Sequence, residues 1–201
     1  MSIWFSAVSS LCFLGMCRIN EVLQMRFRDI QLDLERPDSR TPSRIIKYGC
    51  FTIRDRKTDS DPSASRTYNM HKLPRDERAA EAFTFVSRWF TFASQDLHHT
   101  WAADDFAFPA LSRIPRQASK RRTGHGTSAS STVPSRYDKV SVKRGSAMSD
   151  NNFIQVLNIV AAASGISRGI LGDEIWFTSH CFRRGALSIA LCFLPSRGGG
   201  R

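Results

Sequence analysis

Between Ser112 and Gly145 the chain loses every hydrophobic period: Ser, Thr, Gly and Pro dominate, and nine basic residues stand against a single acid, Asp138. A stretch of that composition buries too little apolar surface to offset the entropy of ordering it. The core must therefore be assembled from the residues on either side. The expected organisation is one domain spanning residues 1–201 with a basic, flexible insertion at 112–145. Its cations are Arg113, Arg116, Lys120, Arg121, Arg122, Arg136, Lys139, Lys143 and Arg144. They supply most of a formal net charge of +11, which favours a polyanionic partner, nucleic acid first and an anionic membrane surface second. The insertion suits nonspecific phosphate contact, or nuclear import through "KRR"; its plain alternative is a solvated loop.

The flanks carry clear patterns. Between Ala7 and Ile30, Leu11, Leu14, Ile19, Val22, Leu23 and Phe27 recur at threes and fours, which predicts one or two packed helices. The opening "MSIWFSAVSSLCFLGMC" is as apolar as a signal peptide. It lacks a basic leading region, however, and runs on into "RINEVLQM" at helical spacing, so it reads as helix. After a loop at Asp38 to Ser43, β-branched and aromatic residues flank a polar centre, predicting strands joined by an exposed turn near Thr58 to Ser65.

A helix follows Pro74, with Asp76 as its cap. Its aromatics, Phe83, Phe85, Trp89, Phe90 and Phe92, offer a stacking surface for bases, but helical spacing favours core. Past the insertion, Ser149 or Asp150 caps a helix that ends at Gly165, and Thr178 or Ser179 caps a last one in "TSHCFRRGALSIALCFL". The fold class is α+β, mainly helical with a small antiparallel sheet or hairpin. No run approaches the roughly 20 apolar residues of a membrane span, so no membrane partner is expected.

Several chemistries are excluded. The five cysteines are odd in number and scattered without zinc-ligand spacing, which reads as reduced thiols and no metal. The chain lacks GxxxxGK[ST], HExxH and GxSxG, so P-loop, metalloprotease and serine-hydrolase readings fail, and no cofactor is expected.

Three short motifs remain. "GMCRINEVLQMRFRDI" places Arg18 and Glu21 at i,i+3; "RDRKTD" puts Lys57 at a hairpin rim; "SHCFRRGA" sets His180 and Arg183 on one helical face. Taken singly, each has an ordinary reading. Arg18 pairs with Glu21 or Asp29, Lys57 is a solvated hairpin lysine, His180 is a helix-start residue, and Arg183 or Arg184 faces solvent.

In this order, the set resembles the catalytic domain of the tyrosine recombinases, the phage integrase family. The first motif looks like that family's first arginine box, "RKTD" like its hairpin lysine and "SHCFRRG" like its His-x-x-Arg box, with wording similar to Crypton-type integrase-like proteins of fungal mobile elements. The resemblance implies a DNA strand-transferase acting through a phosphotyrosine intermediate. Arg18 and Arg183 would clamp the phosphate, Lys57 would protonate the departing oxygen, His180 would shuttle protons, and Glu21 would orient Arg18. It implies duplex DNA as partner, a homo-oligomer or a related full-length recombinase on that DNA, and a nuclear location.

The resemblance also implies a tyrosine nucleophile beyond the His-x-x-Arg box. Tyr48, Tyr68 and Tyr137 all precede His180. The expectation is therefore a domain incomplete at both ends, with no nucleophile in this chain and no activity alone. The alternative is a noncatalytic nucleic-acid or protein interaction module acting through the basic 112–145 segment.

Overall fold

A computed structural model describes residues 1–54, 65–73, 81–114, 140–169, 172–182 and 184–185. The first helix, α1 (Ser2–Leu14), is apolar on nearly every side and sinks Trp4, Ala7, Val8, Leu11 and Cys12 into the core. It does not run on through Arg18. The Gly15 and Cys17 amides close on the carbonyls of Leu11 and Cys12 at 3.0 and 3.1 Å, and Met16 turns to φ +48°. A side chain at Gly15 would collide with the Cys17 sulfur and the Phe51 ring, so the chain reverses tightly at this glycine. A second, short helix, α2 (Ile19–Leu23), starts after extended Arg18, and a 3-10 turn follows at Phe27–Asp29.

The next strand is one the helical period concealed. β1 (Ile30–Pro37), β2 (Ile45–Ile53) and β3 (Arg66–His71) form an antiparallel sheet in that order. Ile30 faces Phe51 in one pairing, and Phe51 faces Tyr68 in the other. Ile30, Phe51, Ile53 and Met70 are buried, so this end of the sheet closes the core. The expected turn at 58–65 and Asp76 lie outside the described residues, apart from Ser65.

The helix α3 (Ala82–Gln95) begins with Glu81 at its N-cap position, buries Val86, Trp89, Phe90 and Ala93, and packs along α1. Trp89 Nε1 donates to the Ala107 carbonyl at 2.7 Å, and Phe90 meets Phe27 and Trp101 edge-on. The α3 aromatics Trp89 and Phe90 are thus core rather than a surface for stacked bases.

The basic insertion is ordered at both its ends. β4 (Pro109–Ser112) pairs antiparallel with β5 (Ser141–Ala147), and Ser112 Oγ bonds Ser141. Composition hid β5 because its hydrogen bonds come from β4, while its own sequence offers one large apolar residue, Val142. The final helix of the described core, α4 (Asp150–Ala163), has the expected ends. Ser149 Oγ accepts from the Asn152 amide at 3.3 Å, and Gly165 takes φ +75° beyond the C-terminus. Trp4 of α1 meets Phe108 and α4's Phe153 at ring distances of 6.5 and 6.3 Å, joining the two flanks of the insertion in one core. The architecture is α+β with a small antiparallel sheet. Among the described residues no helix is long and apolar enough to cross a membrane.

Candidate functional site

The reversal after α1 leaves Arg18 at the mouth of an open cleft of about 740 Å³. Its wall is continued by Asn20, Glu21 and Gln24 of α2, Arg26 and Arg28 around the 3-10 turn, Thr52 and Arg54 at the end of β2, and Asp150 at the start of α4. Ser179 and His180, from the far end of the sequence, complete it. The structure thus brings Arg18, Glu21 and His180 to one place. Lys57 and Arg183 lie outside the described residues, as do Arg116, Lys120, Arg121 and Arg122.

Two carboxylates support two guanidiniums from below. Glu21 accepts from the Arg18 backbone amide at 2.8 Å, and its other oxygen stands 4.0 Å from Arg18 Nη1. The carboxylate is 11% exposed and the guanidinium side chain 39%, so the acid lies inside and the cation toward the cleft. Asp29 repeats this arrangement. It is buried, accepts from the Arg26 amide at 2.9 Å, and holds Arg54 Nε at 2.6 Å while the Arg54 side chain stays 54% exposed. Arg26 and Arg28 are committed elsewhere. Arg26 donates to the Asp104 carbonyl at 2.8 Å and lies 3.7 Å over the Phe106 ring, and Arg28 pairs with the Asp104 carboxylate.

His180 owes its place to Asn158. This buried α4 side chain donates through Nδ2 to the carbonyls of Ile154 and Phe177, and its Oδ1 accepts from the Phe177 amide, all at 2.8 Å. The side-chain amide pairs with the Phe177 backbone as a neighbouring strand would, three residues before His180. The chain then turns helical at His180 to Phe182, and Phe182 packs on Phe5 and Phe153. Sequence reasoning missed Asn158, Asp29 and Arg54 as site residues. Asn158 left one signal, a polar residue on the apolar face shared by Phe153, Leu157 and Ala161.

Burial works against thiolate formation at Cys12 and Cys181. Burial pushes Cys12 well above its ordinary pKa, with nearby Cys17, Cys181 and Glu21 acting in the same direction. Burial also raises Cys181, beside His180, against the opposing pull of backbone hydrogen bonds from Phe182 and its own amide. Among the described residues no group of three or more His, Cys, Asp or Glu side chains is placed to hold a metal ion.

The cations of the basic segment divide. Arg113 follows β4 at φ +58°, Lys143 and Arg144 belong to β5, and Arg144 Nη2 donates to the Leu97 carbonyl at 2.7 Å. Arg144 thus has a structural contact as well as a charge. Comparison with protein families, curated proteins and solved structures finds no match to this chain.

Proposed function

We propose that this chain binds the phosphate backbone of duplex DNA in the cleft of Arg18 and His180, as an integrase-like protein of the tyrosine recombinase class whose 201 residues do not themselves cleave the strand. The observation that carries this reading is the meeting of Arg18 and His180, from opposite ends of the sequence, on one cationic cleft with Glu21 beneath the guanidinium. Charge and geometry suit a phosphodiester. A phosphorane formed by strand transfer gathers negative charge on its nonbridging oxygens, and preplaced guanidiniums stabilise it without reorganising. Arg18 and Arg183 take that role in the proposal. His180 hydrogen-bonds the phosphate or carries a proton, and Lys57 serves the departing oxygen. Tyr48 and Tyr68 do not serve as the nucleophile. Tyr48 sits opposite His71 in the sheet, and Tyr68 stacks on Phe51 with ring centroids 5.0 Å apart.

The test is binding of a labelled duplex of mixed sequence across a salt series, with a denaturing gel of the same mixtures. The expected result is affinity that falls steeply with salt and no covalent protein–DNA adduct. Absence of binding even at low salt overturns the proposal, and an adduct overturns its noncleaving part.

A further inference from the structure

Beside its charged groups the cleft wall carries two neutral side-chain amides, Asn20 and Gln24, both exposed. They stand four residues apart, Asn20 inside α2 and Gln24 at its C-terminal cap, so one helical face carries both. Local packing turns that face outward. Ile19, Val22 and Leu23 are buried on the other side of α2, and Glu21 is engaged with Arg18. Among the described residues neither side-chain amide makes a hydrogen bond. We infer that Asn20 and Gln24 read base edges in the major groove and add a sequence preference to the phosphate contacts; this inference rests on the DNA-binding reading of the cleft.

The chemistry of the two groups separates this role from that of the cations around them. A carboxamide sets a donor beside an acceptor, which matches the N6 and N7 edge of adenine in two hydrogen bonds. It carries no charge, so it adds nothing to the nonspecific attraction for phosphates. The spacing fits as well. Four helical residues rise about 6 Å, close to two base-pair steps of about 3.4 Å, so with α2 lying along the groove the amides meet A·T pairs two steps apart. Arg18, the N-cap of α2, grips the backbone beside them, and such phosphate contacts fix the register in which bases are read. The three buried apolar residues hold α2 against the core, as a reading helix requires.

The test is selection from a pool of duplexes with a randomised centre, by full-length wild type, Asn20→Ala, Gln24→Ala and the double variant at one salt concentration. Recovered duplexes are then titrated by anisotropy beside a scrambled one. Wild type is expected to enrich two A·T pairs two steps apart, and each single variant to lose the preference at one of them, about 5- to 150-fold in affinity per amide. On the scrambled duplex all four proteins keep the same salt slope, since no charge has changed. Both positions are exposed and alanine favours helix, so thermal unfolding should find every variant folded. Salt-dependent binding by wild type with no sequence preference overturns the base-reading assignment and leaves the cleft reading standing. A preference that survives in the double variant overturns it too, by placing readout on other residues. Failure of wild type to bind any duplex at low salt overturns both.

Discussion

Replacing Asn158 by Ala removes the side chain that ties the His180 turn to α4. It takes away three hydrogen bonds, each 2.8 Å long, from a residue only 3% exposed. At a net 0.5–1.5 kcal/mol each, the loss is about 3 kcal/mol. With a urea m-value of roughly 1–3 kcal/mol/M, the unfolding midpoint drops by about 1–3 M at unchanged m. The Phe177 amide, which gives its proton to Asn158 Oδ1, should exchange faster in the same variant. Asn158→Asp separates the hydrogen bonds from mere packing. It keeps the acceptor for Phe177 but turns a charged oxygen toward the Ile154 and Phe177 carbonyls. It should therefore be at least as destabilising at neutral pH and recover as the pH falls and the carboxyl takes up a proton. A loss below about 1 kcal/mol in Asn158→Ala, with unchanged exchange at Phe177, would refute the anchoring role.

Three further outcomes follow from the packing. Gly49→Ala should cost about 1–3 kcal/mol in urea unfolding, because the added carbon would stand 2.7 Å from the Gln31 carbonyl oxygen in β1 and 3.2 Å from Leu32 and Phe83. Cys12, Cys50 and Cys181 hold their protons more tightly folded than unfolded. The stability this gives is complete below the unfolded thiol pKa, about 8.5, and fades as pH rises toward the folded values. Stability measured by urea unfolding should thus decline above that pH, less steeply in Cys12→Ala, and native Cys12 should resist thiol reagents at pH 7. Deleting residues 115–139, which spares the β4–β5 pairing, should leave the fold intact by circular dichroism and a weaker but cleft-dependent affinity for DNA. Complete loss of binding in that folded deletion would favour the basic segment as the binding element.

The sequence was most legible where local chemistry and tertiary packing agree. The α4 helix shows its Ser149 cap, its apolar face and Gly165 in the sequence, and all three take those roles. β2 and β3 are rich in β-branched and aromatic residues and form the pair expected of them. β1 was obscured because Leu23, Phe27 and Ile30 continue a helical period, although Ile30, Leu32 and Leu34 also alternate as strand residues do. The break at Gly15 depends on the close approach of Phe51 from the sheet, a contact no local pattern carries. β5 has little hydrophobic signal of its own and is held through β4.

The candidate site divides along the same line. Arg18, Glu21 and His180 were singled out by motif, and the fold places all three on one cleft. Asp29 was read only as an ordinary ion-pair partner for Arg18; it pairs instead with Arg54, just beyond β2, a partnership that exists only once the sheet meets the 3-10 turn. Asn158 was read only as a helix residue, because its partner at Phe177 lies beyond a turn whose path the sequence does not give.

The most direct test of the central claim compares duplex-DNA binding by wild type and by Arg18→Ala/Arg183→Ala at matched salt, with folding of both checked by thermal unfolding. The expected result is a folded double variant whose affinity falls and whose salt dependence becomes shallower, because phosphate contacts are lost. Equal affinity and equal salt dependence in the two proteins would contradict it, placing DNA contact outside the cleft.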